Sequence, residues 1–137
     1  MPGITDLKQL LAGMKPDLIK GEFVYCSVPP SALVDYIHMN PVGLFQEREG
    51  VTLILPVAAA RQAGLPTGPV MRMITLEIHS SLEAVGLTAA FATALGNEGI
   101  SANVVAGYYH DHIFVPAADA VRAMAALQAL SAVQRPV

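Results

Sequence analysis

The chain of 137 residues predicts an α+β fold built from two similar units in tandem, each an antiparallel sheet covered by helices on one face. Three observations predict it. LILPVAAARQAGL (Leu53 to Leu65) and IFVPAADAVRAMAAL (Ile113 to Leu127) both run from an apolar strand through a proline into an alanine-rich helix. The elements upstream of each follow the same order. The clearest helices are apolar along a single stripe, so each has one face to bury against a sheet.

Taken in order, DLKQLLAGM (6–14) predicts an amphipathic leading helix. GEFVYCSV (21–28) is rich in β-branched and aromatic residues and reads as a strand; SALVDYIHM (31–39) is a short helix interrupted before Pro41, and VGLFQ (42–46) is a second strand ahead of a hairpin. Pro56 and Pro116 mark strand end and helix start, because the missing N–H of proline has no intrahelical partner in a first turn anyway.

RMITLEIHS (72–80) opens the second copy. In the helix after it, Leu87, Phe91 and Leu95 recur every fourth residue beside Ala90 and Ala94, until Gly96 and Gly99 stop the run. ISANVVAG (100–107) is its second strand, and Val121, Met124 and Leu127 form the stripe of the last helix, with Asp119 and Arg122 on the other side. Each copy is thus a β-α-β-β-α-β unit of ferredoxin-like type, one over residues 1–70 with the extra leading helix and one over 71–137. SAVQRPV (131–137) is short and carries a proline, so the second sheet is expected to borrow its closing strand from the first copy or from another chain.

Composition narrows the function. Eight Lys and Arg against eleven Asp and Glu give a net charge of −3, and no basic run could neutralise successive phosphates, which argues against nucleic acid. No apolar run approaches the ~18 residues of a membrane span, and the N-terminus lacks the basic and apolar regions of a signal peptide. A cytoplasmic, membrane-free protein is expected. The lone Cys26 excludes an internal disulfide and lies in an apolar run, where it reads as a small buried hydrophobe. With 14% charged residues and a mean hydropathy of +0.49, a chain this small has apolar surface to spare. Self-association, most simply as a homodimer, is the outlet.

The second half resembles an ACT domain, the small ligand-sensing module of many amino-acid-metabolic enzymes. The resemblance is carried by ITLEIHSSLEAVGLTAAFATALGNEGISANVVAGYYHDHIFVP (74–116), above all by the strand-loop-glycine-helix opening and by LGNEGISANVV from helix into second strand. The chain as a whole is similar to free-standing bacterial double-ACT proteins, to the regulatory tail of aspartate kinases and to paired-ACT amino-acid sensors. That resemblance implies dimerisation and effector binding, and it implies no chemistry and no cofactor.

The residues offer a site of their own. In such a unit the end of the first strand lies beside the start of the third, which brings His79 toward His110 and His112. The connection SSLEAVGL (80–87) leads to a helix N-terminus, where unpaired N–H groups and the helix dipole attract a carboxylate. The hydroxyls of Ser80 and Ser81 can donate, Gly86 lets a ligand approach the backbone, and Glu83 or Asp111 can pair with an ammonium. Leu82 and Leu87 flank these positions. ACT domains use the same loop together with the second-strand segment matching Asn103 and Val104, which the resemblance adds to the set.

Plainer readings stand beside these. Ser80 and Glu83 fit a capping box. Gly86 can simply relieve crowding, and Asn103 can be a polar residue on an outer sheet face. His110 and His112, two apart on a strand, share a face opposite to Asp111. They could join His79 around a metal ion or in acid-base catalysis, or form a hydrogen-bonded network with Tyr108 and Tyr109. His38 reads as a helix-end residue. Neither a nucleophile elbow nor a phosphate loop occurs. The leading expectation is a non-catalytic sensor of an amino acid or similar small metabolite; a metal-dependent or acid-base enzyme and a purely structural module are the alternatives.

Overall fold

A computed structural model of the chain describes residues 6–77 and 85–133. Its elements begin with α1 (Leu7–Gly13), β1 (Pro16–Leu18), β2 (Phe23–Val28), α2 (Leu33–Tyr36), β3 (Gly43–Gln46), β4 (Val51–Pro56) and α3 (Val57–Gln62). They continue with β5 (Met71–Leu76), α4 (Leu87–Asn97), β6 (Asn103–Ala106), β7 (Asp111–Pro116) and α5 (Ala120–Val133). The fold is α+β, and two compact ferredoxin-like units compose it. Gly21–Met71 make one; the residues up to Lys20, together with those from Arg72 onward, make the other.

In the 21–71 unit, β4 lies between β2 and β3, and all the pairings are antiparallel: Phe23 faces Pro56, Val28 faces Val51, and Gly43 faces Ile54. The fourth position is taken by irregular chain, since Gly68 N–H donates to the Tyr25 carbonyl at 3.4 Å and Met71 stands opposite Phe23. Strand alternation sends Val24, Cys26 and Val28, with Val51, Leu53 and Leu55, into one core. Cys26 is buried as expected, and burial pushes its thiol up, away from the thiolate a nucleophile needs. The helical cover is scant: four residues of α2 with a 3₁₀ turn on either side, ended by Asn40 in the left-handed conformation just before Pro41. His38 sits in the second of those turns, at the helix end.

The other unit orders its strands β1-β5-β7-β6. Its closing strand comes from the head of the chain: Pro16, Asp17 and Leu18 pair antiparallel with Leu76, Thr75 and Ile74. The tail from Ser131 to Val133 is instead helical, the end of α5. Ahead of β1, α1 is capped by Asp6, whose carboxylate accepts from Gln9 N–H at 2.9 Å. The leading helix, read from the sequence as an addition to the first half, buries Leu10, Leu11 and Met14 in one core with Ile74, Phe91, Leu95, Ile113 and Leu127. Ser131, fully buried on α5, donates to the carbonyls of Met14 at 3.0 Å and Ala12 at 3.4 Å, which lie at and past the last turn of α1, where helix carbonyls lack intrahelical partners.

The twin prolines are conformational copies. Pro56 (φ −53°, ψ 136°) and Pro116 (φ −53°, ψ 137°) each end a strand and hold the N-cap of the helical segment next in the chain, one residue earlier than the first-turn position expected. The α4 stripe of Leu87, Phe91 and Leu95 is buried as read, and Gly99, left-handed at φ 71°, ends the helix while Ile100 N–H donates back to the Leu95 carbonyl. The α5 stripe differs from expectation. Val121 is 80% exposed, and the buried residues are Ala120, Ala123, Leu127 and Ser131. Val121 lies six residues before Leu127, about 120° off its face at roughly 100° per residue. Asp119 and Arg122 pair at 3.0 Å, and Arg122 also donates to the Glu98 carbonyl at the C-terminal end of α4, where a cation is favoured.

If α1 belongs to this core, Leu10→Ala should lower unfolding free energy by about 2–5 kcal/mol, while Val34→Ala, at a position 75% exposed, should change it by less than about 0.5 kcal/mol. Urea unfolding of both variants checks this.

Candidate functional site

The candidate site lies where β5 ends, β7 begins and α4 starts. Ile74 and Leu76 of β5, with Ile113 and Val115 of β7, enter the core beneath the helices. Alternation therefore puts Thr75, His112 and Phe114 on the opposite sheet face. Val104 stands opposite Ile113 and packs on the core, whereas Asn103 stands opposite Phe114 and donates its amide N–H to the Phe114 carbonyl at 3.3 Å. Asp111 shares its parity with Ile113 and so belongs to the helix side. The sequence-predicted set is thus divided between two faces: Asn103 and His112 on one, Val104 and Asp111 on the other.

His112 is the best-defined group. Its Nδ1 lies 2.9 Å from the Thr75 hydroxyl oxygen, tying the start of β7 to the end of β5 as the topology requires. Gly107 makes room for the ring: a Cβ there would stand 3.1 Å from His112 Nε2 and 2.9 Å from the His110 carbonyl oxygen. His110 itself lies in the turn just before β7, where its carbonyl accepts from Gly107 N–H at 2.9 Å. Strand alternation therefore does not fix His110 on the face of His112. Tyr108 and Tyr109 crown this turn as an edge-to-face pair with centroids 4.9 Å apart.

The electrostatics oppose two neighbours. Burial pushes the Asp111 carboxyl up, with the charges of His112 and His110 pulling it back. Burial pushes His112 down, His110 adds to that, and Asp111 opposes it. A neutral His112 ring can accept the Thr75 hydroxyl proton at Nδ1, whereas a charged ring has to donate there.

At the start of α4, Gly86 holds the N-cap in the left-handed conformation (φ 95°) and has no side chain to cap with, and the first turn has no acidic residue. A Cβ on Gly86 would stand 3.1 Å from a methyl of Leu7, so α1 approaches this end of α4 closely. Leu87 is a core residue. His79, Ser80, Ser81, Leu82 and Glu83 lie outside the described residues, and with them the capping-box reading. Among the described residues no group of three or more His, Cys, Asp or Glu is arranged to hold a metal ion, and no helix is long and apolar enough to cross a membrane. Sequence reasoning missed Thr75 and Gly107. Thr75, a lone hydroxyl between Ile74 and Leu76, was the available signal for the first, and the glycine opening a tight hairpin for the second.

Comparison with known proteins places this geometry in a family. Sequence models described as ACT domain match residues 2–72 and residues 70–129. The chain belongs to the ACT domain family. The two matches follow the sequential halves, while in space the stretch up to Lys20 lies with the second ACT unit. A solved protein of unknown function from Vibrio cholerae, described as a possible transport protein, is 51% identical over 91% of this chain and 95% of its own, with a TM-score of 0.84. The fold is shared at 13% identity by a protein from Agrobacterium tumefaciens (86% of this chain, 89% of that one, TM-score 0.69). It is shared at 12% by the regulatory subunit of aspartate kinase from Thermus flavus (86% and 96%, TM-score 0.58). No functionally curated protein matches the chain.

The depressed His112 fixes the sign of an acid response. Its neutral form is favoured in the fold, so the stability it contributes is complete above the ordinary imidazole value of 6.5 and is lost as pH falls from there through the lower folded value. Denaturant midpoints measured from pH 8 down to pH 5 should fall more steeply for the native chain than for His112→Gln. The raised Asp111 acts in the opposite sense, and at lower pH, losing stability as pH rises from 3.8 through its folded value.

Proposed function

We propose that the protein is a non-catalytic regulatory module that binds an amino acid or a closely similar small metabolite at its second ACT unit. The observation that carries this reading is the bare start of α4. A helix whose N-cap is a left-handed glycine, which has no side chain to cap with, and whose first turn holds no acid, offers N–H donors and the positive end of its dipole to a carboxylate. Asp111, a partly buried carboxylate at the same end of the sheet, gives a counterpart for an ammonium, and pairing would draw its raised pKa down again. Membership of the ACT family supports regulation through a bound small molecule. The histidines then serve as the frame of the turn beside the site, with His112 fixed by Thr75.

The module acts as a homodimer in the cytoplasm on this reading, and no nucleic acid, membrane or cofactor is called for. β3 and β6 are the outer strands of their units, and exposed apolar side chains flank them: Val42, Leu44 and Phe45 on the first, Val105 on the second. Outer strands with such side chains invite pairing with a second copy. Ligand binding can signal only if one arrangement of copies holds the ligand better than another.

Two measurements test this. In a thermal-shift screen of the twenty amino acids, one at about a hundred times its Kd should stabilise the chain by about 2.7 kcal/mol. Gly86→Asp, which sets a carboxylate where the ligand's would lie, and Asp111→Asn should each abolish the shift relative to their own unliganded melts. A flat response across the panel overturns amino-acid binding. For assembly, sedimentation should show a dimer that the double change Val42→Lys and Phe45→Lys converts to a monomer; a native chain that is already monomeric removes this part of the reading.

A further inference from the structure

The twin prolines allow the two units to be laid over each other residue by residue, and the overlay exposes a difference in their helical layers. Counting from Pro56 and Pro116, Ala60 matches Ala120, and both are buried. Three positions on, Ala63 matches Ala123. Ala123 is fully buried in the seam between α5 and α4, packed in one core with Phe91, Leu95 and Leu127. Ala63 is exposed. The helix that carries it stops there, at a left-handed Gly64, and the facing segment is only the short α2 with its 3₁₀ turns. The seam that is dry core in one unit is therefore an open cavity in the other, with a volume of about 410 Å³.

The lining of that cavity has a definite chemistry. Tyr36, Met39 and Ala59 are its partly buried floor, and Tyr36 and Met39 also pack on the core of their unit. Asp35, His38 and Gln62 stand around it as exposed polar residues, and Ala63 completes the α3 side. Among the described residues, one carboxylate faces the space and neither lysine nor arginine lines it. The volume falls in the range of small-molecule sites, about 300–1,000 Å³, and an apolar floor with a few convergent polar groups is their usual make-up.

We infer that the cavity between α2 and α3 is a second ligand site, for a small organic amine with an apolar body and no carboxylate. Asp35 takes the ammonium by a charge-assisted hydrogen bond. The floor of Tyr36, Met39 and Ala59 takes the hydrocarbon part, and an aromatic body suits it because methionine sulfur and a tyrosine ring both make favourable contacts with aromatic groups. His38 and Gln62 offer hydrogen bonds to a polar substituent. A carboxylate would meet Asp35 with no lysine or arginine among the described lining residues, which separates this site from the one proposed at the start of α4. Two such sites would let the chain respond to two different metabolites.

The test uses the full chain labelled with ¹⁵N, titrated with phenethylamine or tyramine and, as the anionic match, phenylacetate. Both amines should shift the amide signals of residues 35–39 and 59–63 in a saturable way, and phenylacetate should not. Ala63→Leu, which fills the space from an exposed helix end, should weaken amine binding at least tenfold while leaving the thermal melt at or above that of the native chain. Asp35→Asn should weaken it at least tenfold as well, with little change in fold. The inference is overturned if neither amine shifts those signals at 10 mM, if phenylacetate binds equally well, or if binding survives Ala63→Leu. Gly86→Asp should leave amine binding intact, so failure of the site at α4 and failure of this one are told apart.

Discussion

Three residue pairs hold the second unit closed: Pro16 with Leu76, Asp17 with Thr75 and Leu18 with Ile74. Without them the described residues of the unit have the β-α-β-β-α order but no fourth strand, because residues 131–133 continue α5. The pairing is short, and backbone bonds contribute only about 0.5–1.5 kcal/mol each, net. What secures it is the helix ahead of it. Leu10, Leu11 and Met14 enter the core, at about 1.5–3 kcal/mol for each such side chain, and the buried Ser131 hydroxyl donates to the Met14 carbonyl just past the end of α1. Strand, helix and buried serine are one device, and the position of β5 within its sheet depends on it.

The site inherits its order from that sheet. Since β5 is held on one side by β1 and on the other by β7, Thr75 meets His112 at a fixed distance, and alternation then sends Asp111 to the helix side. Two titratable neighbours on one strand thus sit in different surroundings, and burial moves them in opposite directions.

Much of this was legible because duplicated sequence carries its own control. The proline that ends an apolar strand and opens an alanine-rich helix occurs twice, and both copies fold to the same backbone angles. The stripe of Leu87, Phe91 and Leu95 was equally plain, since a four-residue spacing in large apolar side chains admits few alternatives. The α5 stripe was harder: alanine is small and occurs on every face of that helix, so Val121 looked like core, while the residue that matters, Ser131, is polar and needs its partners in view to make sense. The leading helix could be recognised as amphipathic but was placed with the first unit by its position in the chain, because a one-faced helix does not say which sheet it will cover. His112 stood out in the sequence as one of a close pair of histidines, whereas Thr75 and Gly107 act only through a neighbour brought to them by pairing.

The partnership of Ser131 with Met14 spans 117 positions of the chain. During synthesis the 21–71 unit can complete its core soon after its last residue emerges, using contacts that are local by comparison. The unit that flanks it in sequence has no such freedom: α1 and β1 are made ahead of everything they pack on, and their core is complete only when α5 leaves the ribosome. An early-made segment is thus the latest to be sheltered, and the 21–71 unit folds while that segment is still unpaired.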